Sequence, residues 1–467
     1  MLFHFWCRLL ARPLLACVAL SLGFGIVGGR AQQPVGGLPE DLIPSLRPII
    51  EEALSQSPQM MTRGLELAQA EANRYFSTAA LLPTVSGSVQ YAISTSTVST
   101  VRSVSSDSDG LFYGFSLGQP LFQWGALRAQ ANVAQIAVLV SEKQYAEAYR
   151  LLVHSLRVQY LALIARKANL NSLRQRLERA EGVLAVEEDK LANGALSPGG
   201  IIAIRMEVTE LRLLLEQTGS DLAYSLLLFA RLVGRPDFPV ESLPDEIPRP
   251  VEMAATADQL LSSFLRQGAE ATPQGEIYSL YIKQADLNYH IAKTRLYPKF
   301  SLYAGYSLIN STSASLNTIS QVGVTSLSYG VVASWTIFDG FSTRGSKLSA
   351  LATRRTNERQ LRTYADSVMD GAQNLHRQLG FSLRGLALAE QRRDLARDMV
   401  RNRTEDIELG AGSRVELDAA LAAFGAADLA ATYARSEYLG RWSEFLSLIG
   451  ADPALNLLPS RYVRANP

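Results

Sequence analysis

Two stretches of this chain run for a very long way without proline. None lies between Leu121 and Ser197, and none between Lys299 and Asp452. Proline removes a helical hydrogen bond and clashes with the preceding turn, so its absence permits unbroken helices. Residues 126–193 can form one helix about 100 Å long at ~1.5 Å per residue. Leu156, Leu163, Leu170, Leu177, Leu184 and Leu191 recur along it at heptad spacing, and past the break "NGALSPGG" so do Ile201, Val208, Leu215, Leu222 and Phe229. Two heptad seams joined by a short break predict an antiparallel, supercoiled helical hairpin. Residues 342–409, the break "GAGS", and Leu417, Phe424, Ala431, Tyr438 and Phe445 predict a second hairpin. Its first helix has a weaker seam and several glycines (Gly345, Gly371, Gly380, Gly385).

The two hairpins belong to an internal repeat. Ser57-Pro58 and Thr272-Pro273 are 215 positions apart, as are Pro83 and Pro298, and Gly125 and Gly340. Gly234 and Gly450 are 216 apart. Landmarks at one offset, with matching patterns around them, predict two structural halves by duplication. The Pro-rich segment Arg235 to Pro250 reads as the joint between them.

Each half opens with a helix, about 46–80 and 256–296, that stops before a proline. Two alternating runs follow. Val85, Val89, Tyr91 and Ile93, then Leu111, Tyr113, Phe115, Leu117 and Leu121, fall on one face of the first pair. Phe300, Leu302, Ala304, Tyr306 and Leu308, then Leu327, Tyr329, Val331, Ala333, Trp335 and Ile337, do so in the second. The opposite faces carry serine, glycine and threonine. Period-two alternation over about ten residues predicts half-buried strands. The Ser/Thr-rich segments 95–110 and 310–325 read as solvated loops between them.

The N-terminus has Arg8 and Arg12, an apolar run from Leu14 to Val27, and "GGRAQQ". That is the pattern of a secretory signal cleaved after Ala31, and the apolar run is shorter than the ~20 residues of a spanning helix. "LLAC", ending at Cys17, has the look of a lipobox, which leaves lipidation open, although the apolar run continues past it. The only cysteines are Cys7 and Cys17, so cleavage leaves neither a disulfide framework nor a thiol nucleophile. Loss of Arg8, Arg12 and Arg30 leaves 42 basic and 44 acidic residues, with no polybasic footprint for nucleic acid. The histidines (His4, His154, His290, His376) are scattered singly, and no metal-binding or phosphate-cradling motif is present. No catalytic constellation and no cofactor are expected.

Four strands cannot close a barrel, and an isolated sheet would leave its edges unpaired and one apolar face uncovered. Membrane barrels begin at eight strands, so several chains would have to contribute to one. The apolar face would then meet lipid and the Ser/Gly face would line water. On the duplicated halves, the helix-to-strand junctions at Leu82-Pro83 and Tyr297-Pro298, the strand exits "SLGQPLFQWG" and "ASWTIFDGFS", and the tip "AGSRVELDAAL", the chain resembles the TolC-like outer membrane factors. The resemblance implies an α+β membrane protein, a homotrimer with a twelve-stranded β-barrel continuous with a periplasmic α-helical barrel. It implies an exit duct of a tripartite efflux pump or type I secretion system, with a periplasmic adaptor and an inner-membrane transporter as partners. The chain then divides into a signal (1–31), a first repeat (32–234), a linker (235–255), a second repeat (256–450) and an equatorial tail (451–467). Pro83, Gly125, Pro298 and Gly340 would mark the helix–strand boundaries.

The resemblance also assigns the two hairpin tips to adaptor docking, through Gly194, Leu196 and Ser197 on one and Gly410, Gly412 and Ser413 on the other. Gly194 can be paired with either Gly410 or Gly412. It implies a gate role for Arg414, as an interhelix link, and for Asp418, as part of an acidic ring. The first tip departs from the family pattern, carrying Gly199-Gly200 where an acidic partner for Arg414 is often found. A carboxylate near a helix start also complements the helix dipole without any gating role. A reading from another class, a secreted oligomeric coiled-coil structural or adhesion protein, predicts no lipid-facing strands.

Overall fold

A computed structural model describes residues 36–99, 103–315, 318–459 and 462. The expected signal over 1–31, with Cys17, lies outside the described residues. The chain starts with α1 (Pro39–Leu42), α2 (Leu46–Gln56) and α3 (Pro58–Ala79). The hairpin β1 (Thr84–Ser99) and β2 (Ser103–Phe122) follows, then the long α4 (Ala126–Ala192) and α5 (Ile202–Val233). The second half has α6 (Ala254–Gln267), α7 (Pro273–Lys293), β3 (Lys299–Ser315) and β4 (Thr318–Ser334), then α8 (Ser342–Glu408) and α9 (Arg414–Leu448).

The two long helices are each 67 residues, about 100 Å, as the proline-free runs allow. Ahead of each hairpin, however, the single expected helix is two. Residues 46–80 break at Ser57-Pro58, where proline occupies the first helical position of α3 and its missing N–H costs nothing. Residues 256–296 break at Gly268, which has a positive φ of 80°, and restart at Pro273 behind the Thr272 cap.

The strands also overrun the expected loops. β1 and β2 pair without interruption from Thr84 opposite Gly118 to Ser99 opposite Ser103, and β3 and β4 from Lys299 opposite Ser334 to Ser315 opposite Thr318. Residues 95–99, 103–110, 310–315 and 318–325 are therefore strand rather than loop. Thr and Val are β-branched and fit a pleated ladder, and polarity alone does not end a strand.

Helices pack four abreast at two levels. In the upper level α4 and α7 lie side by side, with α3 flanking α4 and α8 flanking α7; in the lower level α5 and α9 take the places of α3 and α7. The main core gathers where these levels meet, from Ile50, Met60, Tyr149, Leu156, Tyr160, Phe229 and Leu439. Gly234 ends α5 at a φ of 94° and abuts the Gln56–Ser57 backbone, so α5 and α3 form one interrupted column. Of the heptad positions, Leu156, Leu163, Leu170, Ile201, Val208, Leu222, Phe229, Ala431, Tyr438 and Phe445 are buried. Leu177, Leu184 and Leu191, toward the first tip, are only half-buried.

Candidate functional site

The four strands form one antiparallel sheet in the order β1-β2-β3-β4. Directly opposed residues share a face, so the register sorts the side chains. Val85, Leu117, Ala304 and Tyr329 form one row, and Phe115, Tyr306 and Leu327 the next. This face is open to the surroundings, with Val85 70%, Phe115 60% and Tyr329 77% exposed. The other face carries Ser86, Ser116, Gly305 and Ser328 in one row and Ser88, Gly114, Ser307 and Ser326 in another. Its polarity is not uniform: Gln90 is followed by Phe112, Ile309 and Val324 in one row, and Tyr303, Val322 and Val332 lie on the same face in others.

The apolar face runs along β2 from Leu121 to Leu111 and ends at Asp109, which accepts from the Tyr91 hydroxyl at 3.2 Å. Ten residues at ~3.3 Å and a tilt of ~40° give a band about 25 Å tall, the height of the lipid-facing belt of membrane barrels. Aromatics collar its lower end. Phe122, Trp124 and Tyr297 stack edge to face, and Trp335, Phe338 and Phe341 are exposed nearby. Such rings, apolar with a polar edge, suit a membrane–water boundary.

The boundary residues occupy distinct roles. Pro83 and Pro298 immediately precede β1 and β3. Trp124 donates its indole N–H to the Pro298 carbonyl at 2.7 Å, and Trp335 to that of Leu296 at 2.9 Å, fastening the strand exits to the second junction. At each return to helix two successive residues take left-handed φ. They are Trp124 and Gly125 in the first half, but Gly340 and Phe341 in the second. Gly125 is therefore the N-cap of α4, whereas Gly340 precedes the N-cap Phe341.

At the first tip Gly194 has a φ of 70°, and the Ala195 N–H closes the helix end on the Lys190 carbonyl at 2.8 Å. This is the helix-ending geometry glycine favours. Leu196 folds back against Gly200, and Ser197 lies exposed. At the second tip Gly410 has a φ of 74° and Ser413 caps α9 by accepting from the Val415 N–H. A β-carbon at Gly412 would sit 2.8 Å from the Ile407 nitrogen, so only glycine fits there. Arg414 and Asp418 are exposed and, among the described residues, their side chains make no hydrogen bond or ion pair within the chain. Within this hairpin Arg403 links the two helices, reaching Glu416 at 3.3 Å and Asp406 at 3.1 Å.

Two buried charge clusters, unseen in the sequence pattern, hold the middle of the helical wall. Arg157 on α4 is fully buried and binds Glu40 of α1 and Asp452 of the tail. Arg435 on α9 donates to Glu390 of α8 at 2.6 Å and to the Ile247 carbonyl of the joint at 2.9 Å. Burial pushes the Glu390 carboxyl up, but the Arg435 and Arg393 guanidiniums more than reverse this and hold it below its ordinary value. Among the described residues no His, Cys, Asp or Glu group could hold a metal, and no helix is long and apolar enough to cross a membrane.

Residues 49–199 and 278–451, well over half the chain, match the outer membrane efflux protein family. The chain belongs to that family. A search of curated proteins gave no significant match. The fold of this outer membrane efflux protein is similar to the Campylobacter jejuni CmeC outer membrane channel, at 14% identity over 94% of each chain with a TM-score of 0.70. It is also similar to the Vibrio cholerae outer membrane protein VceC, at 17% identity, 88% of this chain and 97% of that one, with a TM-score of 0.62. The open state of the Neisseria gonorrhoeae MtrE outer membrane channel matches at 15% identity, over 87% and 89%, with a TM-score of 0.60. The outer membrane efflux protein is an exit duct seated in the outer membrane and extending into the periplasm. Its sheet is the membrane part and its helices the periplasmic part. The coiled-coil adhesion reading is disfavoured, since it leaves the apolar sheet face without a purpose.

Proposed function

We propose that three copies of the chain close one barrel of twelve strands over a tube of twelve helices, forming a passive conduit. The observation that carries this reading is the pair of free sheet edges. Among the described residues β1 and β4 each pair on one side only, so the sheet ends in two long unpaired ladders. In a hydrocarbon layer each unpaired N–H or C=O costs several kcal/mol, by order of magnitude. Joining β4 of one copy to β1 of the next satisfies both ladders and repeats until the ring closes. The helical wall supports the same closure. α5 leaves Met206, Leu213 and Tyr224 exposed, and α8 leaves Phe381, Leu388 and Leu395 exposed at heptad spacing. These are the outer helices of the lower level, placed to meet across a head-to-tail interface.

In this assembly the tips Gly194, Leu196 and Ser197 and Gly410, Gly412 and Ser413 form the periplasmic mouth and receive the adaptor. Energy comes from an inner-membrane transporter through that adaptor, and the duct performs no catalysis. Arg414 and Asp418, free within the chain, face neighbouring copies and ring the entrance. Threefold carboxylates in a narrow wet mouth favour cations there.

The test is disulfide trapping. Both native cysteines lie in the signal, so introduced ones stand alone after its removal. Cysteine pairs scanned along β1 (Gln90, Ala92) and β4 (Val322, Val324) should yield covalent dimers and trimers in membranes under oxidant. Monomer alone at every pairing would refute edge-to-edge closure.

A further inference from the structure

Beneath the sheet, α4, α7 and α8 enclose a cleft of about 760 Å³, within the ~300–1,000 Å³ of small-molecule sites. Lys299 lines its upper edge. It pairs with Ser334 and shares its alternation with Ser301, Gly305 and Ser307, so it belongs to the Ser/Gly face and the cleft opens on that side. Arg295, two residues past the end of α7, is the second cation in the lining.

Among the described residues neither cationic side chain has a hydrogen-bond or ion-pair partner, and no carboxylate lines the cleft. The carboxylates nearby are engaged elsewhere. Asp286 pairs with Arg354. Asp339 feels the charge of Arg295 but accepts from the Thr343 backbone and hydroxyl at 2.8 and 2.6 Å. Lys299 is half-buried, where a cation ordinarily acquires a partner. The remaining wall is mixed: Gln130 and Asn288 offer amides, and Ile291 an apolar surface.

We propose that this cleft is an anion-binding station on the inner wall of the duct, taking organic solutes with a carboxylate, sulfonate or phosphate on an apolar body. The anionic group sits between Arg295 and Lys299, and the body lies against Ile291. The proposal rests on the duct reading only for the statement that the cleft faces the conduit, where threefold repetition makes a cationic collar.

The test is fluorescence anisotropy of 1,5-naphthalenedisulfonate with the purified mature protein in uncharged detergent at low salt. Binding should weaken about tenfold in Arg295→Gln or Lys299→Gln, the scale of one charge-assisted hydrogen bond, and further in the double variant. Lys299→Arg should retain it, Arg392→Gln, an exposed cation elsewhere on α8, should leave it unchanged, and added salt should weaken it. Equal affinity in wild type and double variant, or no binding at all, overturns the proposal. Electron microscopy of the same preparation separates the two readings. A threefold pore without binding sinks the cleft alone, and binding without a threefold pore sinks the duct assembly alone.

Discussion

Arg157 is the position whose loss should be felt most widely. Its side chain has no exposure. Nε donates to Glu40 Oε2 at 2.9 Å, Nη1 to Asp452 Oδ2 at 2.5 Å and Ser443 Oγ at 3.2 Å, and Nη2 to Asp452 Oδ1 at 3.0 Å and to Glu40 Oε1. Burial by itself would lower the Arg157 pKa, and Asp452 and Glu40 more than reverse that, so the guanidinium stays charged. One cation thus holds carboxylates from both ends of the described chain. Arg157→Met keeps most of the stem volume but leaves two buried carboxylates without a counter-charge. Breaking a buried pair in this way costs about 3–5 kcal/mol. Adding Glu40→Gln and Asp452→Asn removes the stranded charge, and the triple variant should return to within about 1–2 kcal/mol of wild type. Native-state digestion with a Glu-specific protease reads this out at Glu51 and Glu52 on α2, just beyond the clasp. When reclosing outpaces cleavage, the rate follows the opening free energy. Arg157→Met should accelerate cleavage there about a hundredfold or more, and the triple variant far less. Cleavage of Arg157→Met at the wild-type rate would show that the Arg157 cluster does not hold this region closed.

Burial lowers the pKa of His154, against partial opposition from Glu444, so the folded protein holds it neutral. The unfolded chain protonates first as pH falls, so stability present above about 6.5 is lost as pH drops from that value through the folded one. Thermal melts between pH 7.5 and 5 should show this slope, and His154→Gln should flatten it. Gly234→Ala and Gly450→Ala form a matched pair at equivalent positions of the repeat. Both carry a left-handed φ, worth about 1–2 kcal/mol against alanine, but a β-carbon at 234 would meet the Gln56 oxygen at 2.1 Å, whereas one at 450 would meet no atom of the described residues within 4 Å. Melting temperature should therefore fall clearly further for Gly234→Ala. At the mouth, Asp418→Asn should weaken block by multivalent cations in single-channel recordings, and unchanged block would discard the acidic ring.

Much of the architecture was legible because it depends on local signals. Missing prolines and leucine heptads set the long helices, and alternation around Tyr91, Phe115, Tyr306 and Tyr329 sorted the two sheet faces. The break at Ser57-Pro58 was visible as a repeat landmark but not as a helix start, since proline serves both to end and to begin helices. Segments 95–110 and 310–325 looked like loops because serine and threonine are common to loops and to water-lining strands. The charge clusters were out of reach. Arg157 meets Glu40 and Asp452 across 117 and 295 positions, and no periodicity spans such separations. At the second tip the Arg403 link, which reaches Asp406 one helical turn on and Glu416 across the hairpin, carried no motif of its own.

We propose that this chain builds a membrane duct only by joining its free sheet edges to other copies. Native mass spectrometry and cryo-electron microscopy of the mature protein, extracted in mild detergent, test it together. The expected result is a mass of three chains and a threefold particle with a twelve-stranded barrel above a helical tube about 100 Å long. A stable monomer, with β1 and β4 unpaired and no pore, would contradict it.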